Sequence, residues 1–221
     1  MCPHPLTRKP LLCYVTDRRS LAASPGLAID LQLQKIEQAA KAGVDWIQIR
    51  EKDMSGRELA GLVERAMTGV GSDSAVLVND RVDVACAVGA SGVHLGEHSL
   101  PPEEARRLAA SQCRPRENFI VGVSAHSLEG AMAAQQAGAD YVIFGPVFAT
   151  PSKANFGQPQ GVQRLQEICK RLTIPVLAIG GITLANAGDC LAAGAAGIAA
   201  IRLFQDAANL DDLVRELRKV S

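Results

Sequence analysis

The sequence lacks an excess of charge of either sign, any long apolar run and any closely spaced cysteine pair. Its 23 Lys and Arg residues balance 23 Asp and Glu residues, so the formal net charge is zero. A bulk electrostatic attraction to nucleic acid or to an anionic membrane is therefore not expected, although a local cationic pocket is compatible with this balance. No apolar run approaches the roughly 18 residues that span a bilayer. The sequence thus predicts neither a nucleic-acid-binding protein nor a membrane protein.

Signals for export, for a disulfide framework and for a zinc site are also missing. The opening segment Met1–Pro10 is polar and has no apolar core of the kind that signal peptides contain. Six cysteines are scattered without a C-x-x-C pair: Cys2, Cys13, Cys86, Cys113, Cys169 and Cys190. This spacing favours reduced thiols. We therefore expect a cytoplasmic protein in which residues 1–10 form an N-terminal tail.

Short apolar runs alternate with longer amphipathic stretches along the whole chain. Most of the runs are continuous, as in parallel strands that are buried on both faces. The predicted strands are Leu11–Thr16, Trp46–Arg50, Ala75–Asn79, Gly92–Leu95, Phe119–Val123, Tyr141–Phe144, Pro175–Ile179 and Gly197–Ile201. The predicted helices are Leu31–Ala42, Gly56–Thr68, Pro102–Ala110, Leu128–Ala137, Val162–Arg171, Leu184–Ala193 and Leu210–Lys219. This alternation predicts an α/β protein with a single (β/α)8 TIM barrel and a parallel eight-stranded core over residues 11–221.

A repeated small-residue turn supports a closed ring of strands. Gly43, Gly89, Gly138 and Gly194 each stand between a helical stretch and an apolar strand, where glycine supplies the left-handed residue that ends a helix. Their spacings of 46, 49 and 56 residues correspond to two βα units, and they precede strands 2, 4, 6 and 8. A doubly wound open sheet would also alternate strands with helices, but this repeat favours the barrel.

Polar chemistry is concentrated after the predicted strands. In a barrel the residues that directly follow each strand face the active site. Here these residues are rich in cations, amides, hydroxyls and carboxylates, whereas the helix-to-strand turns hold mostly Ala, Gly, Asp and Pro. Because a purely structural barrel does not need this asymmetry, the sequence predicts an enzyme.

Two neighbouring strand ends predict a site for a highly charged anion. Gln48, Arg50 and Lys52 alternate after strand 2, so the pleat directs them to one face, where an amide and two cations suit a diphosphate. The alternative is an ion network inside the barrel. Asn79 and Asp80 follow strand 3, and Asp80 is a carboxylate of the kind that holds Mg²⁺ together with phosphate oxygens and water. The alternative is an N-cap for the helical segment that follows.

The strand ends later in the chain offer further groups that bind anions. Thr150, Ser152 and Lys153 place two hydroxyls and an ammonium on the longest predicted loop, which suits a lid that grips an anion; the alternative is an ordinary polar loop. Gly180 and Gly181 follow strand 7, where backbone N–H groups of barrel enzymes commonly approach a phosphate.

The four histidines differ in their expected roles. His126 follows strand 5 beside Ser124 and is suited to general acid or base catalysis near neutral pH; a structural hydrogen-bonding role is the alternative. His94 lies within strand 4 and is interpreted as a core or barrel-lining residue. His4 is expected in the solvated tail, and His98 on its loop is ambiguous.

Several motifs in one order resemble a known family. They run from Tyr14 to Ile201 and include Gln48–Asp53 (QIREKD), Asn79–Asp83 (NDRVD), Gly92–Gly96 (GVHLG), Gly122–His126 (GVSAH), Gly138–Val142 (GADYV), Phe144–Phe148 (FGPVF) and Ala178–Ile182 (AIGGI). With these motifs the sequence resembles thiamine-phosphate synthase and its relative, the thiazole tautomerase. The synthase joins hydroxymethylpyrimidine diphosphate to a thiazole phosphate and releases diphosphate.

The resemblance implies a role for each matching residue. It implies that the pyrimidine diphosphate is held by Gln48, Arg50, Lys52, Asn79 and Lys153, with Ser124 near the pyrimidine. It implies that the thiazole phosphate is held by Thr150, Ser152 and the Gly180–Gly181 pair, with Ile201 and Arg202 in the same substrate-binding set. Mg²⁺ would lie at Asp80, and the catalytic residues would be Arg50, Lys52, Lys153 and His126. Neither nucleic acid nor membrane is an expected partner, and a homo-oligomer is plausible from the resemblance.

Two positions depart from the synthase pattern. The second metal position of the family, an aspartate, is Ser99 here, and a serine after strand 8 is replaced by Arg202. The tautomerase needs neither a diphosphate site nor a metal and would use His126 as its base. The retained set of Gln48, Arg50, Lys52, Asn79 and Asp80 favours the synthase over the tautomerase and over a non-catalytic regulator that binds phosphates.

Overall fold

Eight parallel strands close into a barrel in the order in which they occur in the chain. The structure, a computed structural model, describes residues 10–72, 74–112, 119–150 and 158–220. The strands are β1 (Leu11–Val15), β2 (Trp46–Ile49), β3 (Ala75–Asn79), β4 (Gly92–Leu95), β5 (Ile120–Ala125), β6 (Tyr141–Phe144), β7 (Val176–Ile179) and β8 (Gly197–Ala200). The ring closes where Leu11 of β1 pairs with Gly197 of β8. The (β/α)8 barrel predicted from the sequence is confirmed.

Helices separate the strands and surround the barrel. They are α1 (Pro25–Lys41), α2 (Gly56–Val70), α3 (Val82–Val88), α4 (Pro102–Gln112), α5 (Leu128–Gln136), α6 (Gly161–Arg171), α7 (Ala187–Ala192), α8 (Arg202–Gln205) and α9 (Leu210–Lys219). A 3₁₀ turn over Arg18–Ser20 follows β1. None of the described helices is long and apolar enough to cross a membrane.

The two faces of the strands bury two different sets of side chains. Alternate residues such as Trp46, Leu77 and Tyr141 pack together inside the barrel. The residues between them, for example Ile47 and Val78, pack outward against the helices. Because successive strand residues point to opposite faces, the last inward residue of each strand lines the mouth of the barrel.

The repeated glycines end helices as predicted. Gly43, Gly89, Gly138 and Gly194 all have positive φ, between 70° and 97°, a region that side chains with a Cβ rarely adopt. Each of the four directly precedes an even-numbered strand. The fourfold repeat therefore reflects four helix ends at the amino ends of the strands, the face of the barrel opposite to the carboxyl ends.

Several boundaries differ from the prediction for local reasons. Helix α1 begins at Pro25, six residues before the predicted start, because Ser24 and Pro25 supply a cap position and a first-turn proline. Helix α7 begins three residues late, because Asn186 accepts a bond from the Thr183 N–H and delays the helix. Cys13, Cys169 and Cys190 are free thiols in the structure, whereas Cys86 is disulfide-bonded, contrary to the expectation of reduced thiols.

Candidate active site

A cavity of about 780 Å³ opens at the carboxyl ends of the strands. It is lined by ten of the residues predicted for the site: Gln48, Arg50, Asn79, Ser124, His126, Thr150, Gly180, Gly181, Ile201 and Arg202. Asp80 is bonded to Asn79 of this lining and Ser99 is bonded to Asp80, while the exposed Lys52 lies near enough to Asp80 for its charge to lower the pKa of that carboxylate. Ser152 and Lys153 lie outside the described residues, so their predicted roles are not addressed by this geometry.

The sequence did not single out three further groups that line the cavity. His94 contributes its ring from β4, and Asp206 and Leu203 line the cavity at helix α8. His94 was interpreted as a core or barrel-lining residue, and strand alternation could have placed it on the inward face with Asn79 and Ser124. Helix α8 has only four residues, too few to give a periodic signal.

A row of hydrogen bonds joins β2, β3 and the β4 loop. Gln48 Nε2 donates to Asn79 Oδ1 at 3.0 Å, and Asn79 Nδ2 donates to Asp80 Oδ2 at 2.8 Å. The other oxygen of Asp80, Oδ1, accepts from the Ser99 hydroxyl at 2.6 Å and from the Gly96 N–H at 2.9 Å. The row therefore ends on a carboxylate that accepts three hydrogen bonds.

The charge on Asp80 fixes the direction of every bond in this row. An ionised carboxylate only accepts, so Asn79 must direct its NH₂ group to Asp80 and its oxygen to Gln48. Gln48 must then direct its own NH₂ group to Asn79. Its oxygen Oε1 is left buried without a partner among the described residues. The row therefore leaves a buried acceptor unsatisfied among the described residues, which is rare in folded proteins.

Asp80 is held in an unusual conformation as an anion. Its φ of 59° makes it the one non-glycine residue with positive φ in the described chain. Such strained residues cluster at functional sites. Burial opposes ionisation, but the bonds from Ser99 and Gly96, the nearby charge of Lys52 and the bond from Asn79 outweigh it, so the pKa of Asp80 lies below its usual range.

Two arginines near this row have opposite environments. Arg18 is 8% exposed and forms ion pairs with Glu51 at 2.7 Å and with Asp53 at 2.8 Å. Arg50 and Lys52 form no salt bridge with any carboxylate in the described part of the chain. The guanidinium of Arg18 is paired with carboxylates of the protein, whereas the cationic groups of Arg50 and Lys52 remain available to a ligand.

The Arg18 network also supports the backbone of Arg50. Glu51 accepts from the Thr16 hydroxyl at 2.8 Å, and the same Thr16 oxygen accepts from the Arg50 N–H at 3.0 Å. The ion network after strand 2 is thus formed by Arg18, Glu51 and Asp53, and not by Arg50 and Lys52, for which the sequence offered a network inside the barrel as the alternative.

His126 has one ring nitrogen whose role is fixed. Nδ1 lies at hydrogen-bond distance from the carbonyl oxygen of Gly145. Because a carbonyl only accepts, Nδ1 carries the proton and Nε2 is an acceptor when the ring is neutral. His126 makes a hydrogen bond of the kind that a structural role requires, and its ring also lines the cavity, so both predicted roles stay open.

The side of the cavity at β6 to β8 is built mainly from backbone. Gly180 and Gly181 have positive φ, and a Cβ on either would lie 2.5–2.6 Å from Pro146 or from the Ala149 carbonyl oxygen. Only glycine therefore allows the loop after β7 to pass against the loop after β6. In the described chain no acceptor is bonded to the N–H groups of Gly181 and Arg202.

Comparison with known proteins agrees with this geometry. The family model described as thiamine monophosphate synthase matches residues 12–204. The chain belongs to this family. A putative thiamine-phosphate synthase of Geobacter sulfurreducens is 44% identical over 193 residues, which cover 86% of this chain and 84% of that protein. The thiamine-phosphate synthase of Chlorobium phaeobacteroides is 38% identical, with 96% of both chains covered.

A solved structure supports the same assignment. The thiamine phosphate pyrophosphorylase from Pyrococcus furiosus has a TM-score of 0.79 and 35% identity, and the match covers 96% of this chain and 95% of that one. Membership of the thiamine monophosphate synthase family makes the chain a transferase. The thiazole tautomerase, the alternative from the sequence, is not supported by any of these findings.

Proposed function

We propose that this member of the family joins an aminopyrimidine diphosphate to a thiazole phosphate, releasing diphosphate and forming thiamine phosphate. The observation that supports this best is the hydrogen-bonded row from Gln48 to Asp80 beside Arg50, whose guanidinium has no carboxylate partner in the described chain. A cation at a cavity mouth without an internal counter-charge fits an anionic ligand.

The cations act on the leaving group. When the carbon–oxygen bond of the pyrimidine substrate breaks, its electron pair stays on the diphosphate oxygen and the pyrimidine carbon becomes cationic. Arg50 and Lys52 neutralise the charge that develops on the diphosphate, and we assign the same role to Lys153. The thiazole nitrogen then donates its lone pair to the cationic carbon and forms the new carbon–nitrogen bond.

The donor set around Asp80 fits Mg²⁺. Asp80 is ionised, and among the described residues its Oδ2 accepts one hydrogen bond, from Asn79. The described residues contain no group of three or more His, Cys, Asp or Glu side chains that would hold a metal unaided. Asp80 and the Ser99 hydroxyl would hold Mg²⁺ together with diphosphate oxygens and water, the ligands this ion prefers. When bound, Mg²⁺ supplies positive charge that stabilises the departing diphosphate.

Gln48 and Ser124 fit the polar edge of the pyrimidine. Gln48 presents the buried Oε1 acceptor, which suits the exocyclic amino group of an aminopyrimidine. Ser124 lines the same cavity on β5 and offers a hydroxyl. The amino group would satisfy an acceptor that is otherwise buried and unpaired, so its binding removes an unfavourable feature of the free protein.

The thiazole phosphate fits the backbone side of the cavity. The N–H groups of Gly181 and Arg202 have no acceptor in the described chain, and the loops after strands 7 and 8 are the usual phosphate site of TIM barrels. The Arg202 side chain and the Thr150 hydroxyl line the same region. A phosphate held there tethers the thiazole ring, so its nitrogen is positioned for attack.

The test is a coupled assay of the purified protein with both substrates and Mg²⁺, with thiamine phosphate as the detected product. We expect Mg²⁺-dependent turnover that Lys52→Ala lowers by at least tenfold, because a cation on the leaving group is lost. His126→Ala, in contrast, should affect turnover less than Lys52→Ala. A protein that ignores Lys52→Ala but is inactivated by His126→Ala would contradict the proposal.

The cytoplasmic location and the homo-oligomer remain predictions from the sequence. Size-exclusion chromatography with light scattering of the purified protein tests the second of them directly.

A further inference from the structure

Three side chains on neighbouring strands form a second hydrogen-bonded row, of which the proposed function uses only Ser124. Tyr141 Oη lies 3.0 Å from His94 Nδ1, and His94 Nε2 lies 2.9 Å from Ser124 Oγ. Tyr141 and His94 are 0% and 2% exposed, so water does not compete for these bonds. Ser124 and His94 line the cavity, whereas Tyr141 lies deeper inside the barrel.

A glycine on the strand between them makes this row possible. His94 of β4 pairs with Gly122 of β5, and Gly122 pairs with Tyr141 of β6. A Cβ on Gly122 would lie 2.0–2.4 Å from the Tyr141 ring and hydroxyl. The missing side chain on β5 therefore lets the tyrosine ring cross that strand and reach the imidazole. The ring is also held from the other side by Trp46, with ring centroids 4.6 Å apart.

The direction of the bonds follows from the buried tyrosine hydroxyl. Burial raises the pKa of Tyr141 well above its ordinary value, so its hydroxyl keeps its proton and needs an acceptor. In the described chain His94 Nδ1 is the one partner of that hydroxyl.

Only one arrangement satisfies all three groups. If Tyr141 donates to Nδ1, then Nε2 carries the proton and donates to Ser124, whose own O–H is free to point into the cavity. In the reverse arrangement Nδ1–H would donate to Tyr141, and the tyrosine O–H would be buried without an acceptor, which is unfavourable. The reverse arrangement would also turn the Ser124 proton away from the cavity, toward His94.

We propose that Tyr141 and His94 are positioning residues that hold Ser124 as a hydrogen-bond donor aimed into the cavity, toward a ring nitrogen of the pyrimidine. The choice of ligand rests on the proposed function; the direction of the row does not. Together with the acceptor on Gln48, the donor on Ser124 gives the cavity the complement of an aminopyrimidine, which carries an N–H donor next to a ring-nitrogen acceptor. A pyrimidine with an oxo group in place of the amino group would present the wrong pattern to Gln48.

The first measurement is the tautomer of His94 in the substrate-free protein, read from the ¹⁵N chemical shifts of the ring nitrogens and assigned with single histidine variants. We expect the proton of His94 on Nε2. His126 provides an internal reference of the opposite kind, because its Nδ1 donates to the Gly145 carbonyl. A His94 ring protonated on Nδ1 would overturn the proposal, whatever the protein catalyses.

The second measurement is the KM for each substrate in variants of the row. Ser124→Ala should raise the KM for the pyrimidine diphosphate about tenfold, and Tyr141→Phe about threefold, because each removes or loosens one hydrogen bond. The KM for the thiazole phosphate should change less than twofold. Tyr14→Phe is the matched control: it removes another fully buried tyrosine hydroxyl, bonded to Gln205 at 3.0 Å, on the outer side of the barrel.

A pair of substitutions at His94 separates positioning from packing. His94→Gln keeps one acceptor and one donor on the same side chain, whereas His94→Leu keeps neither. We expect the KM for the pyrimidine diphosphate to rise several-fold less in the His94→Gln variant than in the His94→Leu variant. Equal KM values in folded glutamine and leucine variants would overturn the positioning role. If the parent protein made no thiamine phosphate, the proposed function would fail, while the tautomer would still decide the direction of the row.

Discussion

The two sides of the cavity are built in different ways. At the ends of β2, β3 and β4 the site consists of side chains that fix one another, because the anion at Asp80 sets the direction of each bond back to Gln48. At the ends of β6, β7 and β8 it consists largely of backbone, where two glycines let one loop pass against another. The first side distinguishes ligands by charge and by donor or acceptor pattern, whereas the second offers N–H groups that suit any phosphate.

This difference predicts how each side responds to substitution. On the side-chain side, removal of one group should change ligand binding or turnover and leave the fold intact. At the two glycines of the backbone side, the available change is an added side chain, which should affect folding and phosphate binding together. The predictions below test this contrast.

The largest effect is expected for Arg50. Arg50→Met removes a cation that has no carboxylate partner among the described residues, so kcat/KM should fall about 100- to 1,000-fold, as for loss of one preorganised charge at a leaving group. Steady-state kinetics with Mg²⁺ saturating would measure the loss, and the melting temperature should change little. Arg65→Met is the control, because Arg65 pairs with Asp30 on the surface and its side chain is 57% exposed. Similar losses in both variants would contradict the assignment of Arg50 to the diphosphate.

The next largest effect is a loss of folding stability at acid pH, which is caused by His94 on the side-chain side of the cavity. Burial lowers the pKa of His94 to about 4 from an unfolded value near 6.5, with Asp80 raising it and Arg50 lowering it to smaller extents. The unfolded chain therefore binds a proton at His94 before the folded chain does. Stability should be fully present above pH 6.5 and should fall as the pH drops toward 4, by on the order of 3 kcal/mol from this group.

Urea unfolding at a series of pH values measures this decline. The His94→Gln variant has no group that titrates at this position, so its stability should decline less steeply between pH 6.5 and 4. Parallel curves for the two proteins would show that His94 does not contribute, and that other groups cause the acid response.

The side-chain side and the backbone side of the cavity also differ in how much of their structure could be predicted from the sequence. Gln48 and Asn79 line the cavity, as expected from their places at the strand ends, and their binding roles stay predictions from residue type. The bond from Ser99 to Asp80 and the left-handed backbone of Asp80 could not be predicted, since both depend on how the β4 loop folds over β3. Gly180–Gly181 was a weak motif for a similar reason: its necessity comes from Pro146 and Ala149, which approach it only in the folded barrel.

On the backbone side, Gly181→Ala should destabilise the fold. Its φ is 64°, and a Cβ there would lie 2.6 Å from the Ala149 carbonyl oxygen and 2.8 Å from Phe148 Cβ. Gly71→Ala is the matched control, because Gly71 has a φ of 68° with nothing within 4 Å of the added Cβ. Both variants bear a cost of positive φ, and the contacts at position 181 add to it, so Gly181→Ala should be less stable than Gly71→Ala by about 2 kcal/mol.

The same pair of variants tests the phosphate site. Because the Gly181 N–H moves with its backbone, Gly181→Ala should raise the KM for the thiazole phosphate while leaving the KM for the pyrimidine diphosphate nearly unchanged. Thermal unfolding and two-substrate kinetics give both quantities. Equal stability of the alanine variants at positions 71 and 181, or a rise in KM for the pyrimidine substrate alone, would contradict the division of the cavity into two sides.

The smallest effect is expected at Ser99. Ser99→Asp places a second carboxylate where a hydroxyl now donates to Asp80 at 2.6 Å. Without Mg²⁺ the two like charges should lower the melting temperature, and with Mg²⁺ the added ligand should reduce the half-saturating metal concentration about five- to tenfold, or about 1 kcal/mol. Ser99→Asn has a similar shape without the charge and is the control. If both variants respond alike to Mg²⁺, the metal does not lie at Asp80. If only the aspartate variant gains affinity, the carboxylate at position 99 acts as a metal ligand. The parent protein then supplies fewer metal ligands than the aspartate variant, and the diphosphate supplies more of them.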